Sequence, residues 1–172
     1  ANAMAFGSHQ VATVDLENAK YVLSFGADFL GTWNSTVAQS VAYGRMRQAA
    51  TGERPKFVHV DARLTQTAAN ADEFVACKPG TEGLLAMAIA AVLNKTADAG
   101  DYAPAMVAQK TGVAVEKIER LARELAANGP AVAIIGGAPL AHTNGLFHAH
   151  AVNTLNRAAN AVNQPGGLSF VP

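Results

Sequence analysis

Short apolar runs alternate with longer stretches of helical periodicity along this chain. Tyr21-Val22-Leu23-Ser24-Phe25, the run Phe57-Val58-His59-Val60, Phe74-Val75-Ala76-Cys77 and Ala131-Val132-Ala133-Ile134-Ile135 read as strands. The second follows the breaker pair Arg54-Pro55 and has the look of a strand covered on both faces. Asn34-Ser35-Thr36 opens a helix expected to run to about Ala50, with Val37, Val41 and Met46 toward the core and Ala38, Ala42 and Ala49 allowing close approach. Leu84 to Leu93 is almost wholly apolar and must be buried, while Asp101 to Thr111 accepts Pro104 in its first turn. Val113 to Asn128 is the clearest amphipathic helix: Val115, Ile118, Leu121 and Leu125 share one face, and its charges are expected on a solvated face. Asn144 to about Val162 gives a last helix, and Gln164-Pro165-Gly166-Gly167 stops it. Nearer the start, Val11 to Val14 is a weak apolar run, and Asp15 to Ala19 predicts one helical turn capped by Asp15. The order strand, helix, strand, strand, helix, helix, strand, helix predicts an α/β fold, a three-layer sandwich with a mainly parallel, Rossmann-like sheet.

In such a sheet, ligands sit beyond the carboxyl ends of the strands. Three clusters fall there. Gly26-Ala27-Asp28 follows the first run, and its glycine permits a sharp turn and close backbone approach. Asp61, Arg63, Thr65 and Thr67 follow the second. Asp61 there either accepts from a ribose or base edge or caps its own turn; Arg63 offers a planar fork for phosphate or carboxylate, or a local ion pair. Pro79-Gly80-Thr81-Glu82 opens the apolar helix, whose free N–H groups make a ready anion or base-edge site. Trp33, just before its helix, can act as a hydrophobic staple or as a lid over the crevice.

Composition narrows the classes. The 172 residues suffice for one core and one domain. Thirteen basic and thirteen acidic residues cancel, with no basic stripe interleaved with aromatics, so no nucleic-acid partner is expected. The longest apolar helical stretch is too short to span a bilayer, so direct membrane insertion is not expected. Cys77 is the only cysteine, which rules out an internal disulfide or an iron–sulfur site made by this chain alone; its apolar neighbours make it a small core residue. Residues 1–4, Ala1-Asn2-Ala3-Met4, look like a cloning scar and starting Met, leaving 5–172 as a single α/β domain excised from a larger catalytic subunit.

Other chemistry is weaker. His148 and His150, two apart on a helix, diverge by about 200° and cannot share a metal, and His142 has no carboxylate partner nearby in sequence. No Gly-x-Ser-x-Gly elbow, Walker loop or Gly-x-Gly-x-x-Gly fingerprint occurs.

The run Asp61-Ala62-Arg63 with Thr65 and Thr67, then Ala71-Asp72, then Pro79-Gly80-Thr81-Glu82 resembles the signature of the large subunits of molybdopterin oxidoreductases, the dimethyl sulfoxide reductase family. Gly26-Ala27-Asp28, the stretch Ala141 to Gly145 and the closing Pro165-Gly166-Gly167 extend the resemblance over nearly the whole chain. It departs in three places: Ala62 stands where the family usually has Pro, Glu82 where Asp is usual, and Asn160-Ala161 where Gly-Asn is usual. The resemblance implies a domain that holds the guanosine end of one molybdopterin guanine dinucleotide. Gly26, Ala27 and Asp28 would approach with their backbone; Asp61 and Arg63 would hold ribose, guanine or phosphate; Thr65 would add a hydroxyl; Gly80, Thr81 and Glu82 would meet the nucleotide. The parent would carry bis(molybdopterin guanine dinucleotide) with molybdenum, and an iron–sulfur cluster elsewhere. Its partners would be the remaining domains of the subunit, with iron–sulfur and membrane-anchor subunits, in the periplasm or at the cytoplasmic membrane. No catalytic residue or metal ligand falls within this chain. Three or four charge-assisted hydrogen bonds at about 1.5–3 kcal/mol each barely exceed an association cost of about 4–15 kcal/mol, so no cofactor is expected tightly bound to the fragment. Two rival readings are a cofactor-free structural domain of a respiratory complex, signalled by the three departures, and a stand-alone nucleotide-binding module of flavodoxin-like architecture.

Overall fold

The computed structural model describes residues 1–48, 52 and 54–170. Its centre is a four-stranded, all-parallel sheet of β2 (Tyr21–Phe25), β3 (Lys56–Asp61), β4 (Glu73–Ala76) and β5 (Ala131–Ile135), in the order β4-β3-β2-β5. Chain order thus reverses between β2 and β5, the arrangement that opens a crevice in Rossmann-like sheets. β2 and most of β3 are buried along their whole length because both faces are covered. Tyr21, Leu23, Phe25, Val58 and Val60 face a core built with α4 (Glu82–Leu93), α5 (Pro104–Thr111), α6 (Val115–Ala127) and α8 (Gly145–Ala158). Val22, Phe57, Val132 and Ile134 face the other layer, with Phe29 and with Met46 of α2 (Thr36–Arg47). These three layers are the sandwich that the alternation of elements predicts.

Polar side chains fasten the layers. Asn156 of α8 accepts from the Ala133 amide at 2.9 Å and donates to its carbonyl at 2.8 Å, so a side-chain amide takes the place of the strand missing beside β5. At the amino end of the sheet, both Arg47 Nη atoms donate to Asp72 at 2.7 Å, and Asp72 also accepts from the Phe57 amide at 2.7 Å.

Several local expectations are corrected. Val37 and Val41 point outward, 77% and 51% exposed, because α2 rests on Ala42, Tyr43 and Met46 and the Arg47–Asp72 clamp fixes its rotation. The expected end of that helix at Ala50 lies outside the described residues. Asp15 caps a turn, not a helix: its carboxylate accepts from Asn18 and, at 2.9 Å, from the Gly166 amide, tying the start of the chain to Pro165-Gly166-Gly167. The charged face of α6 is not simply solvated, since Arg120 bonds both Glu73 and Glu124, and Glu124 bonds Lys56 and Tyr21. α8 ends at Ala158, four residues short of Val162. Four elements were not expected: α1 (Asn2–Phe6), packed on α8; α3 (Gln66–Ala69); α7 (Ala138–Ala141); and β6 (Leu168–Phe170), which pairs antiparallel with β1 (Ala12–Val14).

Candidate functional site

The carboxyl end of the sheet divides into two zones. The first lies between β2 and β5, where the order reverses. Gly26 has a left-handed φ of 64°, and a Cβ there would lie 2.6 Å from the Pro139 ring. A Cβ on Gly136 would strike the Trp33 indole. The protein's own Pro139 and Trp33 therefore occupy the space these glycines leave. Trp33 lies against Gly136, just past β5, and packs on the core of that face.

Asp28 is also turned inward. Its Oδ1 accepts from the Thr67 hydroxyl at 2.5 Å and amide at 3.3 Å, and Oδ2 from Thr32 at 3.2 Å. Burial alone would raise its pKa, but the Thr67 bonds, with Thr32 and Thr65, hold it below the ordinary carboxylate value. Gly26, Ala27 and Asp28 are all buried, so this segment serves first as the joint between β2 and α3.

The second zone spans the ends of β3 and β4 and the start of α4. Asp61 Oδ1 accepts from the amides of Ala62 at 2.6 Å and Arg63 at 3.3 Å, an Asx turn of the kind short acids favour. Burial would raise its pKa; His59 and those two amides outweigh that and lower it. Thr65 accepts from the Ala68 amide and so caps α3. Arg63 is exposed and makes no ion pair among the described residues.

Gly80, at φ 76°, turns the chain into α4, and a Cβ there would find only His142, at 3.9 Å. Thr81 donates to the Lys78 carbonyl at 2.6 Å. Glu82, 2% exposed, has an Oε2 atom with no hydrogen-bond partner among the described residues. Burial raises its pKa, and the Asp61 charge adds to this. Cys77 lies in the same electrostatic neighbourhood: burial, then Glu82 and Asp61, push its thiol up to about 12.

Asp61, Glu82 and Gly80 are thus brought together, with Arg63 and Thr81 at their edge, while Gly26, Ala27 and Asp28 belong to the filled zone. Sequence reasoning missed the histidines as partners of this site. The His148 Nδ1 atom accepts from the Gly83 amide at 2.8 Å, which satisfies one of the free N–H groups of α4 and puts the proton of the neutral ring on Nε2. Burial, and then His142, lower its pKa. Gly83 is required there, because a Cβ would sit 2.7 Å from that ring. His148 is therefore a structural histidine, and among the described residues no three His, Cys, Asp or Glu side chains converge as metal ligands.

A parallel sheet with reversed strand order and helices on both faces defines a Rossmann-like α/β domain, with a glycine turn leading into a helix at its carboxyl end. The profile of the molybdopterin oxidoreductase family matches residues 2–171, and the chain belongs to that family. It is 29% identical to the menaquinone reductase, molybdopterin-binding-like subunit of Nitratidesulfovibrio vulgaris, over 92% of this chain and 25% of that protein. It is 28% identical to dimethyl sulfoxide reductase DmsA of Escherichia coli, over 90% of this chain and 24% of that protein. The fold is also that of acetylene hydratase from Pelobacter acetylenicus, with a TM-score of 0.75 at 18% identity, covering 94% of this chain and 24% of that one. The chain thus spans about a quarter of the length of these relatives.

Proposed function

We propose that this chain is the part of a molybdenum oxidoreductase that holds the guanosine end of a molybdopterin guanine dinucleotide. The observation that carries the reading is Glu82 at the mouth of α4: a buried carboxylate oxygen without a partner among the described residues, beside helix N–H groups and an open glycine turn. A guanine edge presents adjacent N–H donors, which suit an acceptor-only carboxylate. The remaining amides at the helix start suit a phosphate or ribose oxygen, and exposed Arg63 supplies a fork for the diphosphate. When bound in the parent, the cofactor would supply oxygen-atom or coupled proton and electron transfer at molybdenum. This chain contributes position and charge. The remaining domains of the subunit would cover the site, which fits exposed Leu64, Leu140 and Leu146 in the segments leaving the same end of the sheet. Iron–sulfur and membrane-anchor subunits would complete the assembly at the membrane.

The inward turn of Asp28 and Asp61 and the filling by Pro139 and Trp33 favour a second reading, a domain that keeps the fold without the cofactor. One relative's name, molybdopterin-binding-like, points the same way. Elemental analysis for molybdenum, with GMP released by acid hydrolysis, on the full-length parent from its native host separates the two. Stoichiometric metal with about two GMP per chain supports the first. Absence of both in folded, matured protein refutes it and leaves the second.

A further inference from the structure

We propose that His59 is a positioning residue for Asp61: a buried imidazole that fixes the second carboxylate oxygen so that its remaining acceptor capacity serves a nucleotide. The inference rests on the reading of this end of the sheet as a nucleotide site.

The alternation of β3 puts Phe57, His59 and Asp61 on one face. His59 is fully buried, its ring centroid 6.0 Å from that of Phe57, in a place where an apolar side chain would serve the core better. Neither ring nitrogen has a hydrogen-bond partner among the described residues, which costs stability. The two ends of the Asp61 carboxylate are held unequally. Oδ1 is fixed by the Ala62 and Arg63 amides, whereas the group beside Oδ2 is the His59 Nε2 atom, at 3.5 Å. That separation is slightly long for a hydrogen bond, and such contacts commonly shorten once the ligand is in place. A carboxylate oxygen accepts two bonds, so a contact from Nε2–H leaves Oδ2 one acceptor position for a ribose hydroxyl or base N–H. The imidazole is thus explained by the acid it adjoins.

The test uses full-length parent isolated without its cofactor, with GDP as the probe in isothermal titration. His59→Gln keeps a donor at the reach of Nε2, and His59→Met has the same length without one. The expected result is GDP affinity within about threefold of the original for His59→Gln, and about tenfold weaker for His59→Met, with the melting temperature of the Met variant unchanged or raised. Should the Met variant fail to fold, His59→Leu takes its place. Equal GDP affinities for the Gln variant and its apolar counterpart overturn the proposal and leave His59 as core filler. Asp61→Asn separates the two levels. If it leaves GDP binding unchanged, the nucleotide role of Asp61 fails; if it weakens binding while the two His59 variants match, only the positioning role fails.

Discussion

Asp72 lies in the stretch that carries the family resemblance, yet the fold puts it at the amino end of the sheet, away from the candidate site. Asp72→Ala should therefore weaken the fold and leave nucleotide binding alone. The change removes two bonds from Arg47 and one from the Phe57 amide, all at 2.7 Å. The Arg47 side chain is 11% exposed and, among the described residues, keeps only its bonds to Tyr43 and the Pro55 carbonyl. An orphaned, largely buried amide costs about 1–3 kcal/mol, and a mostly buried ion pair at the protein surface adds about 1 kcal/mol more. The sum is about 3 kcal/mol, which for a domain of this size lowers the melting temperature by about 6–12 °C. The sign with pH follows from the carboxyl. Burial opposes ionisation of Asp72, but Arg47 and the Phe57 amide outweigh it and lower the folded pKa. Its stabilisation is thus fully present above the unfolded value, near 4, and fades as the pH falls through the folded one. Urea titrations of both proteins at pH 7 and at pH 3 measure the gap. A difference below about 0.5 kcal/mol at pH 7, or one that widens in acid, would refute the clamp as a stabilising element.

Glu82→Gln reverses that sign: burial raises the Glu82 pKa, so the ionised acid opposes folding above it and the native state gains stability as the pH falls. The variant should be about 1 kcal/mol more stable at pH 8, converge with the original in acid, and bind GDP more weakly; parallel pH–stability curves would count against it. Cys77, with its thiol pushed up to about 12, should resist alkylation in the native state at pH 8 and react on unfolding in urea. Rapid native labelling would place it outside the core.

The four parallel strands were legible because strands covered on both faces must be continuous apolar runs. α4 and α6 were legible for related reasons, one uniformly apolar and the other strongly amphipathic. What the sequence concealed depended on contacts distant along the chain. The rotation of α2 is set by Arg47 reaching Asp72 and Tyr43 reaching the Asn70 carbonyl, so local periodicity favoured the wrong valines. α3 is four polar or small residues held by a Thr65 cap, with no apolar repeat to announce it. Within the site, the helix entrance at Gly80 to Glu82 was readable from turn chemistry. The inward commitment of Asp28 was not, since its partner Thr67 lies thirty-nine residues on. His148 escaped notice because its partner amide, Gly83, is sixty-five residues away, and a helical histidine looks the same in sequence whether it binds a metal or caps another helix.

The residues that carry the resemblance therefore persist in this fold for two physical reasons. Asp72, Asp28 and Pro165-Gly166-Gly167 have complete structural employment: each bonds or packs against its own chain, and removing it would cost stability with no ligand involved. A cofactor-free descendant of the family would need them as much as a loaded enzyme. Glu82 differs in kind. A carboxylate oxygen buried without a partner among the described residues works against the folded state, and although the Glu82 and Gly80 amides and His142 partly offset it, burial and the Asp61 charge prevail. A scaffold alone gains nothing from it, whereas a guanine edge would supply the missing donors. Of the matched positions, Glu82 is the one whose energetics the bare fold leaves unexplained, and its energetic response to GDP is the sharpest local test of the proposed guanosine site.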